Sequence, residues 1–142
     1  MNTPLVDTND ILDFIRSRIV GTIVKADVYF GSFVKVDIVN LHGQALYLRL
    51  LYCDWKVDKD GVCLEQAGTC GRGELACLNG RSIAGIEFQD SGAVDVLMDD
   101  GARLAIVPDL REYETGDELL CIVIEDQYFE FFPGFRVSIT RS

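Results

Sequence analysis

The stretch LYLRLLYCDWKV at residues 46–57 carries apolar side chains at every second position, and RLAIVPDLREY at residues 103–113 repeats this pattern. Each stretch follows a glycine, Gly43 or Gly101. Because successive side chains of a strand point to opposite faces of a sheet, the alternation indicates half-buried β-strands. The same strand pattern therefore occurs twice in one chain.

Two β-meanders of three strands each are predicted around these stretches. The first covers about residues 21–57 and the second about residues 80–113, and glycine-containing turns separate the strands in both. Aligning the two preceding glycines places Leu48 on Ile106 without a gap. One meander cannot bury its apolar face alone, so two paired copies would share a core. Chance similarity between two meanders is the alternative to a true repeat.

The remaining sequence predicts one helix and further strands. Thr8 or Asn9 can cap a helix with an apolar stripe formed by Ile11, Leu12, Phe14, Ile15 and Ile19. The segments ELLCIVIED and YFEFFPGFRVSIT follow the second meander as strands. We therefore predict a mainly β single domain, residues 1–142, with two pseudo-repeated antiparallel meanders packed as a sandwich or partly open barrel and an N-terminal helix. An α+β fold is the alternative.

Metal, redox and catalytic chemistry are not expected. The five cysteines, at positions 53, 63, 70, 77 and 121, lack the close pairs two to four residues apart that structural zinc sites use. The chain does not begin with a signal peptide, so we expect reduced thiols in the cytoplasm and no cofactor. The only histidine, His42, lies in the turn NLHG, and no catalytic motif accompanies it. An enzyme is therefore not expected.

The charge of the chain points to a basic protein as partner. Its formal net charge is −10, which disfavours binding to a phosphate backbone, so no nucleic-acid partner is expected. No apolar stretch reaches the roughly 20 residues that cross a bilayer, so no membrane association is expected. The segment 81–130 holds 13 acidic residues against three arginines, which accounts for the whole net charge. A functional acidic face is predicted, with a solvated acidic surface as the alternative.

The loop PDLREYETGDE at residues 108–118 is the densest acidic segment. Tyr113 within it is an aromatic residue of the kind enriched at interfaces. The predicted partner-binding residues share acidic character around this tyrosine: Asp99, Asp100, Asp109, Glu112, Tyr113, Glu114, Asp117 and Glu118.

Two segments resemble small bacterial immunity-type proteins, which are antidotes of polymorphic or contact-dependent toxins. One is the strand ending in Cys-x-Trp with a short hairpin, LYLRLLYCDWKVDKDGV at 46–62. The other, LNGRSIAGIEF…VDVLMDDGARLAIVP between residues 78 and 108, is similar to their G-x-x-I…D-L-x-x-x-F-x-D-G-x-x-L pattern. The resemblance implies a cytosolic antidote that binds a toxin domain and blocks it. Together with the acidic face, we expect a monomer or homodimer that covers the active site of a basic, nuclease-like toxin domain. A small-ligand-binding β-barrel or a subunit of a larger assembly is the alternative.

Overall fold

The computed structural model describes residues 8–28, 33–66, 76–111, 113–134 and 136–141. In these residues a helix, α1 (Thr8–Ile19), precedes eleven strands, and a short 3-10 helix (Ala76–Leu78) lies between the fifth and sixth. The strands are β1 (Gly21–Val28), β2 (Val34–Asn40), β3 (Ala45–Leu50), β4 (Cys53–Lys59), β5 (Val62–Gln66), β6 (Ser82–Phe88), β7 (Val94–Met98), β8 (Ala102–Pro108), β9 (Leu120–Ile124), β10 (Gln127–Phe132) and β11 (Arg136–Arg141). The predicted mainly β fold with an N-terminal helix is confirmed.

All eleven strands form one antiparallel sheet in the order β11-β10-β9-β3-β2-β1-β6-β7-β8-β4-β5. The two predicted meanders are β1 to β3 and β6 to β8, and they meet edge to edge through β1 and β6. The sheet is not closed into a barrel, because β11 and β5 lie at its two edges.

Each meander is extended by a hairpin that follows the other meander in the chain. Strand β4 comes directly after β3 but pairs with β8, whereas β9 comes after β8 but pairs with β3. The hairpins β4–β5 and β9–β10 are thus exchanged between the two meanders. The resulting strand order is symmetric about the β1–β6 junction, and only β11 has no counterpart. We call this arrangement the hairpin exchange.

The stretch 46–57, which has the pattern of a single strand, is divided between β3 and β4. The chain bends at Leu51 and Tyr52, whose N–H groups both donate to the Leu119 carbonyl, at 2.9 and 3.1 Å. Because Leu119 directly precedes β9, this carbonyl fixes the end of β3 to the start of the strand that pairs with it. The bend sends β4 to the opposite half of the sheet.

Both meanders carry a β-bulge in their first strand, at Val24 in β1 and at Ala84 in β6. When these bulges are superimposed, Ile106 of β8 corresponds to Leu50 of β3. Ile106 pairs with the first residue of β7, and Leu50 pairs with the first residue of β2. The glycine alignment pairs Ile106 with Leu48 instead, two residues away. Leu48 and Leu50 lie on the same buried face, so the predicted core face is unchanged.

The sheet curls around α1. Phe88 on β6 stacks on Phe131 on β10 with ring centroids 5.5 Å apart, although four strands lie between β6 and β10. In a flat sheet those two strands would be about 24 Å apart. Inside the curl Phe14 of the helix packs on Phe129, and the helix buries Ile11, Leu12, Ile15 and Ile19. One apolar core therefore joins both meanders and the helix.

Candidate functional site

The predicted acidic loop is the connection between β8 and β9, and it crosses the short connection between β3 and β4. The Asp109 N–H donates to the Tyr52 carbonyl at 2.9 Å, and the Tyr52 N–H donates to the Leu119 carbonyl. The backbone of Tyr52 is therefore hydrogen-bonded to residues at both ends of the acidic connection. The hairpin exchange places this loop at one end of the sheet.

Much of the predicted binding loop is bound within the fold. The Tyr52 hydroxyl donates to Asp117 Oδ2 at 2.8 Å, and the Tyr113 hydroxyl donates to the Asp117 carbonyl. The rings of Tyr52 and Tyr113 meet edge to face with centroids 5.3 Å apart. Tyr113 is half-buried against the core, so its ring stabilises the crossing of the two connections.

The other acidic residues of the loop differ in their surroundings. Asp109 accepts from Arg111 Nε at 2.9 Å and Nη2 at 2.6 Å, and these side-chain hydrogen bonds, followed by one from the Arg111 backbone, lower its pKa to about 2. Glu114 is exposed. Glu112 lies outside the described residues.

The last predicted residue of the loop, Glu118, joins a polar cluster on the outer face of β3, β9 and β10. Glu118 Oε1 lies 2.9 Å from Arg49 Nη2. Cys121 on β9 faces Arg49 on one side and Glu130 on the other. Thr140 on β11 donates to Glu130. We call Arg49, Glu118, Cys121 and Glu130 the Arg49 cluster.

The Arg49 cluster has one guanidinium for two carboxylates. Burial, reinforced by the neighbouring Glu130, raises the pKa of Glu118 to about 7, although Arg49 opposes this shift. Within the described residues, Arg49 Nε and Glu118 Oε2 are buried without a hydrogen-bond partner. Glu118 is therefore partly protonated near neutral pH. Sequence reasoning missed Arg49 and Glu130, although each is a charged residue between apolar neighbours in a strand.

The predicted residues Asp99 and Asp100 do not lie with the acidic loop. They precede β8, whereas the loop follows it, and a seven-residue strand is about 20 Å long. Asp100 forms ion pairs with Arg81 and, at 3.6 Å, with Lys59. The fold thus divides the predicted acidic site into two patches at opposite ends of one strand.

An exposed apolar pair lies among acidic residues where the two connections cross. Val107 is 52% exposed and Leu110 is 53% exposed. Val107 faces Asp54 across the β4–β8 ladder. Pro108 lies close to Gly92 in the β6–β7 turn, since a Cβ added to Gly92 would be 3.3 Å from the proline ring. The β6–β7 turn thus brings the exposed carboxylate of Asp90 to the same end of the sheet. We define the crossing surface as Asp54, Asp90, Val107, Asp109, Leu110 and Glu114.

The hairpin next to the crossing surface contains opposed carboxylates. Glu87 on β6 faces Asp95 on β7, and like charges directly opposite each other destabilise a sheet. Asp95 is buried and accepts a hydrogen bond from Gln89 Nε2 at 2.8 Å. Among the described residues no basic side chain forms an ion pair with either carboxylate. The acidic character of this end therefore has a cost in stability.

Cys53 and Cys121 are buried, Cys63 is exposed, Cys77 is half-buried, and Cys70 lies outside the described residues. Burial, followed by nearby carboxylates, raises the pKa of Cys53 and of Cys121 to about 12. In the part of the chain that the structure describes, no three His, Cys, Asp or Glu side chains converge as metal ligands.

Cys53 and Cys121 are expected to stay unmodified by a thiol reagent in the native protein at pH 8, because the thiolate is the reacting species and burial suppresses it. The measurement is the time course of labelling by 5,5′-dithiobis-(2-nitrobenzoic acid), with the labelled positions identified by mass spectrometry. The same protein in guanidinium chloride is the control, and both thiols should react there. Native labelling of either cysteine at the rate of a free thiol would contradict the prediction.

A scan against protein-family models finds no match to this chain, and searches of curated proteins and of solved structures find none either. Across the described residues, no helix has the length and apolar character needed to pass through a membrane.

Proposed function

We propose that this chain is a non-enzymatic binding protein that neutralises a basic partner, a nuclease-like toxin domain, by docking it on the crossing surface and covering its active site. The observation that carries this proposal is the exposed pair Val107 and Leu110 with acidic residues around it. Protein interfaces commonly combine an apolar centre with a polar rim. A nuclease must attract phosphates, so acidic side chains can take the place of the nucleic acid in such a site.

The charge distribution supports a basic partner. Asp54, Asp90 and Glu114 are exposed, and within the described residues none of them has an ion-pair partner. Asp109 adds a carboxylate whose charge Arg111 offsets. A charge of −10 on the whole chain would accelerate the encounter with a cationic protein and orient it. The resemblance of residues 46–62 to immunity-type proteins agrees with this kind of partner.

Co-expression tests the proposal. The probe is the C-terminal domain of the protein encoded beside this chain, expressed in a bacterial host with and without it. We expect growth arrest by the domain alone, rescue by this chain, and a complex that dissociates as the salt concentration rises. The proposal is overturned if the domain is harmless, or if it arrests growth and the chain neither rescues nor binds it.

Charge reversal on the crossing surface is expected to slow association with that domain at least about tenfold at low salt, because exposed charges mainly set the association rate. The variant carries Asp54→Lys, Asp90→Lys and Glu114→Lys, and association is followed by stopped-flow fluorescence.

A matched control separates local from overall charge. Asp99→Lys, Glu125→Lys and Asp126→Lys change the net charge equally at exposed positions in the β7–β8 and β9–β10 turns, at the other ends of β8 and β9 from the crossing surface. We expect this control to slow association far less than the first variant. Equal slowing by the two triple variants would mean that the crossing surface has no special role in docking.

A further inference from the structure

A groove of about 470 Å³ opens on the outer face of the sheet, between the β4–β5 and β7–β8 turns. Its lining includes Lys56 and Asp58 on β4, Asp60 in the β4–β5 turn, Leu97 on β7 and Arg103 on β8. The volume is within the range of about 300–1,000 Å³ that small-molecule sites occupy. The groove lies at the start of β8, and the crossing surface lies at its end, so the two are separate sites.

The groove has more hydrogen-bond donors than its own carboxylates use. Arg103 Nη2 and Lys56 Nζ approach the same oxygen, Asp58 Oδ2, at 3.4 and 3.7 Å. Charge-assisted hydrogen bonds are usually about 2.7–2.9 Å long, so neither contact is a close one. A guanidinium has five N–H donors and an ammonium has three. Both basic side chains are about half exposed and can reach a molecule in the groove.

The corresponding place on the other half of the sheet is covered by side chains. Paired residues form a row across β8, β4 and β5, which consists of Arg103, Asp58 and Cys63. The equivalent row across β3, β9 and β10 consists of Tyr47, Val123 and Tyr128. In the second row the two tyrosines cover the sheet, where burial followed by the interaction with Tyr128 raises the pKa of Tyr47. The first row has an arginine and a cysteine in place of those rings.

We propose that this groove binds a small anion, a molecule with a carboxylate or phosphate group, through Arg103 and Lys56. The arginine fork matches the oxygens of either group, and the ammonium supplies a second positive charge. Leu97 adds an apolar side chain to the lining, which suits the rest of the molecule. In a chain with 23 acidic and 13 basic residues, anions are repelled from most of the surface, so local cations are needed to hold one.

Nuclear magnetic resonance titration of the ¹⁵N-labelled chain tests this proposal. The probes are inorganic phosphate and citrate, each at constant ionic strength maintained with sodium chloride. We expect saturable chemical-shift changes confined to residues 56–61 and 97–103 with phosphate, with citrate or with both. The probe that saturates at the lower concentration shows whether the groove prefers a phosphate or a carboxylate group. Linear or delocalised shifts with both probes would overturn the proposal.

Three variants complete the test. Arg103→Gln and Lys56→Gln should each weaken binding at least about tenfold, since each removes a charge-assisted contact. Lys35→Gln, on the tyrosine-covered half of the sheet, removes the same charge and should leave affinity within about twofold. The ¹⁵N spectra show whether each variant keeps the fold. Unchanged affinity in the folded Arg103→Gln and Lys56→Gln variants would also overturn the proposal.

Discussion

Ile106→Ala and Leu48→Ala are each expected to lower the free energy of unfolding by about 2–5 kcal/mol, the usual cost of emptying a large buried position. Ile106 is 0% exposed and Leu48 is 1% exposed. In the ladders Ile106 lies between Val94 and Trp55, and Leu48 faces the exchanged strand β9. Both substitutions therefore open a cavity where an exchanged hairpin packs on its host meander.

Guanidinium denaturation followed by Trp55 fluorescence measures this effect. Val107→Ala and Leu110→Ala are matched controls, because both side chains are more than half exposed. They should change the free energy of unfolding by no more than about 0.5 kcal/mol. Losses below about 1 kcal/mol for both buried substitutions would show that the core does not extend across the two meanders.

Raising the pH from about 5 to 8 is expected to lower the free energy of unfolding by about 1–2 kcal/mol through Glu118. Its pKa is about 7 in the folded chain and near 4.5 when unfolded. Between these values the folded state binds a proton that the unfolded state does not. The stabilisation is therefore complete below about pH 4.5 and is lost as the pH rises through 7. Because the site is partly exposed and screened by solvent, the loss of unfolding free energy is smaller than the full pKa shift would give.

Two variants isolate this proton. Glu118→Gln should flatten the dependence of unfolding free energy on pH between 5 and 8. Glu130→Gln should lower the pKa of Glu118, since Glu130 contributes to raising it. A ¹³C titration of the Glu118 carboxyl measures that pKa directly. A Glu118→Gln variant with the same pH dependence as the unmodified chain would rule out this carboxyl as the titrating group.

The sequence allowed prediction of where strands lie and which faces are buried, because both depend on local alternation. It did not allow prediction of the strand order, since β4 has the same alternation beside β3 or beside β8. One local signal was available. Only Leu51 and Tyr52 join β3 to β4. Tight two-residue hairpin turns favour pairs such as Asn-Gly or Asp-Gly, so a Leu-Tyr connection disfavours pairing between β3 and β4. The Asp60-Gly61 turn between β4 and β5 has that chemistry, and positive φ angles at both residues.

The candidate site was predicted in part. Acidic residues at 109–118 were recognised from their density, and several of them do lie at one end of the sheet. Their partners could not be found from spacing, because Tyr52 is 65 residues from Asp117 and Arg49 is 69 residues from Glu118. These pairs come together only when β9 adds to β3. Val107 and Leu110 carried no signal, since an apolar residue in a strand or loop is as compatible with the core as with the surface.

Because of the hairpin exchange, neither half of the sheet can pair all of its strands until most of the chain has been synthesised. The partner of Val57 on β4 is Leu104, and the partner of Leu48 on β3 is Ile122. Each half alone would expose a strand edge that only the other half covers, and contacts so distant in sequence slow folding. On a ribosome, the N-terminal half must wait for β8 and β9 to be synthesised. A chain divided between β5 and β6 would yield two fragments that fold by completing each other.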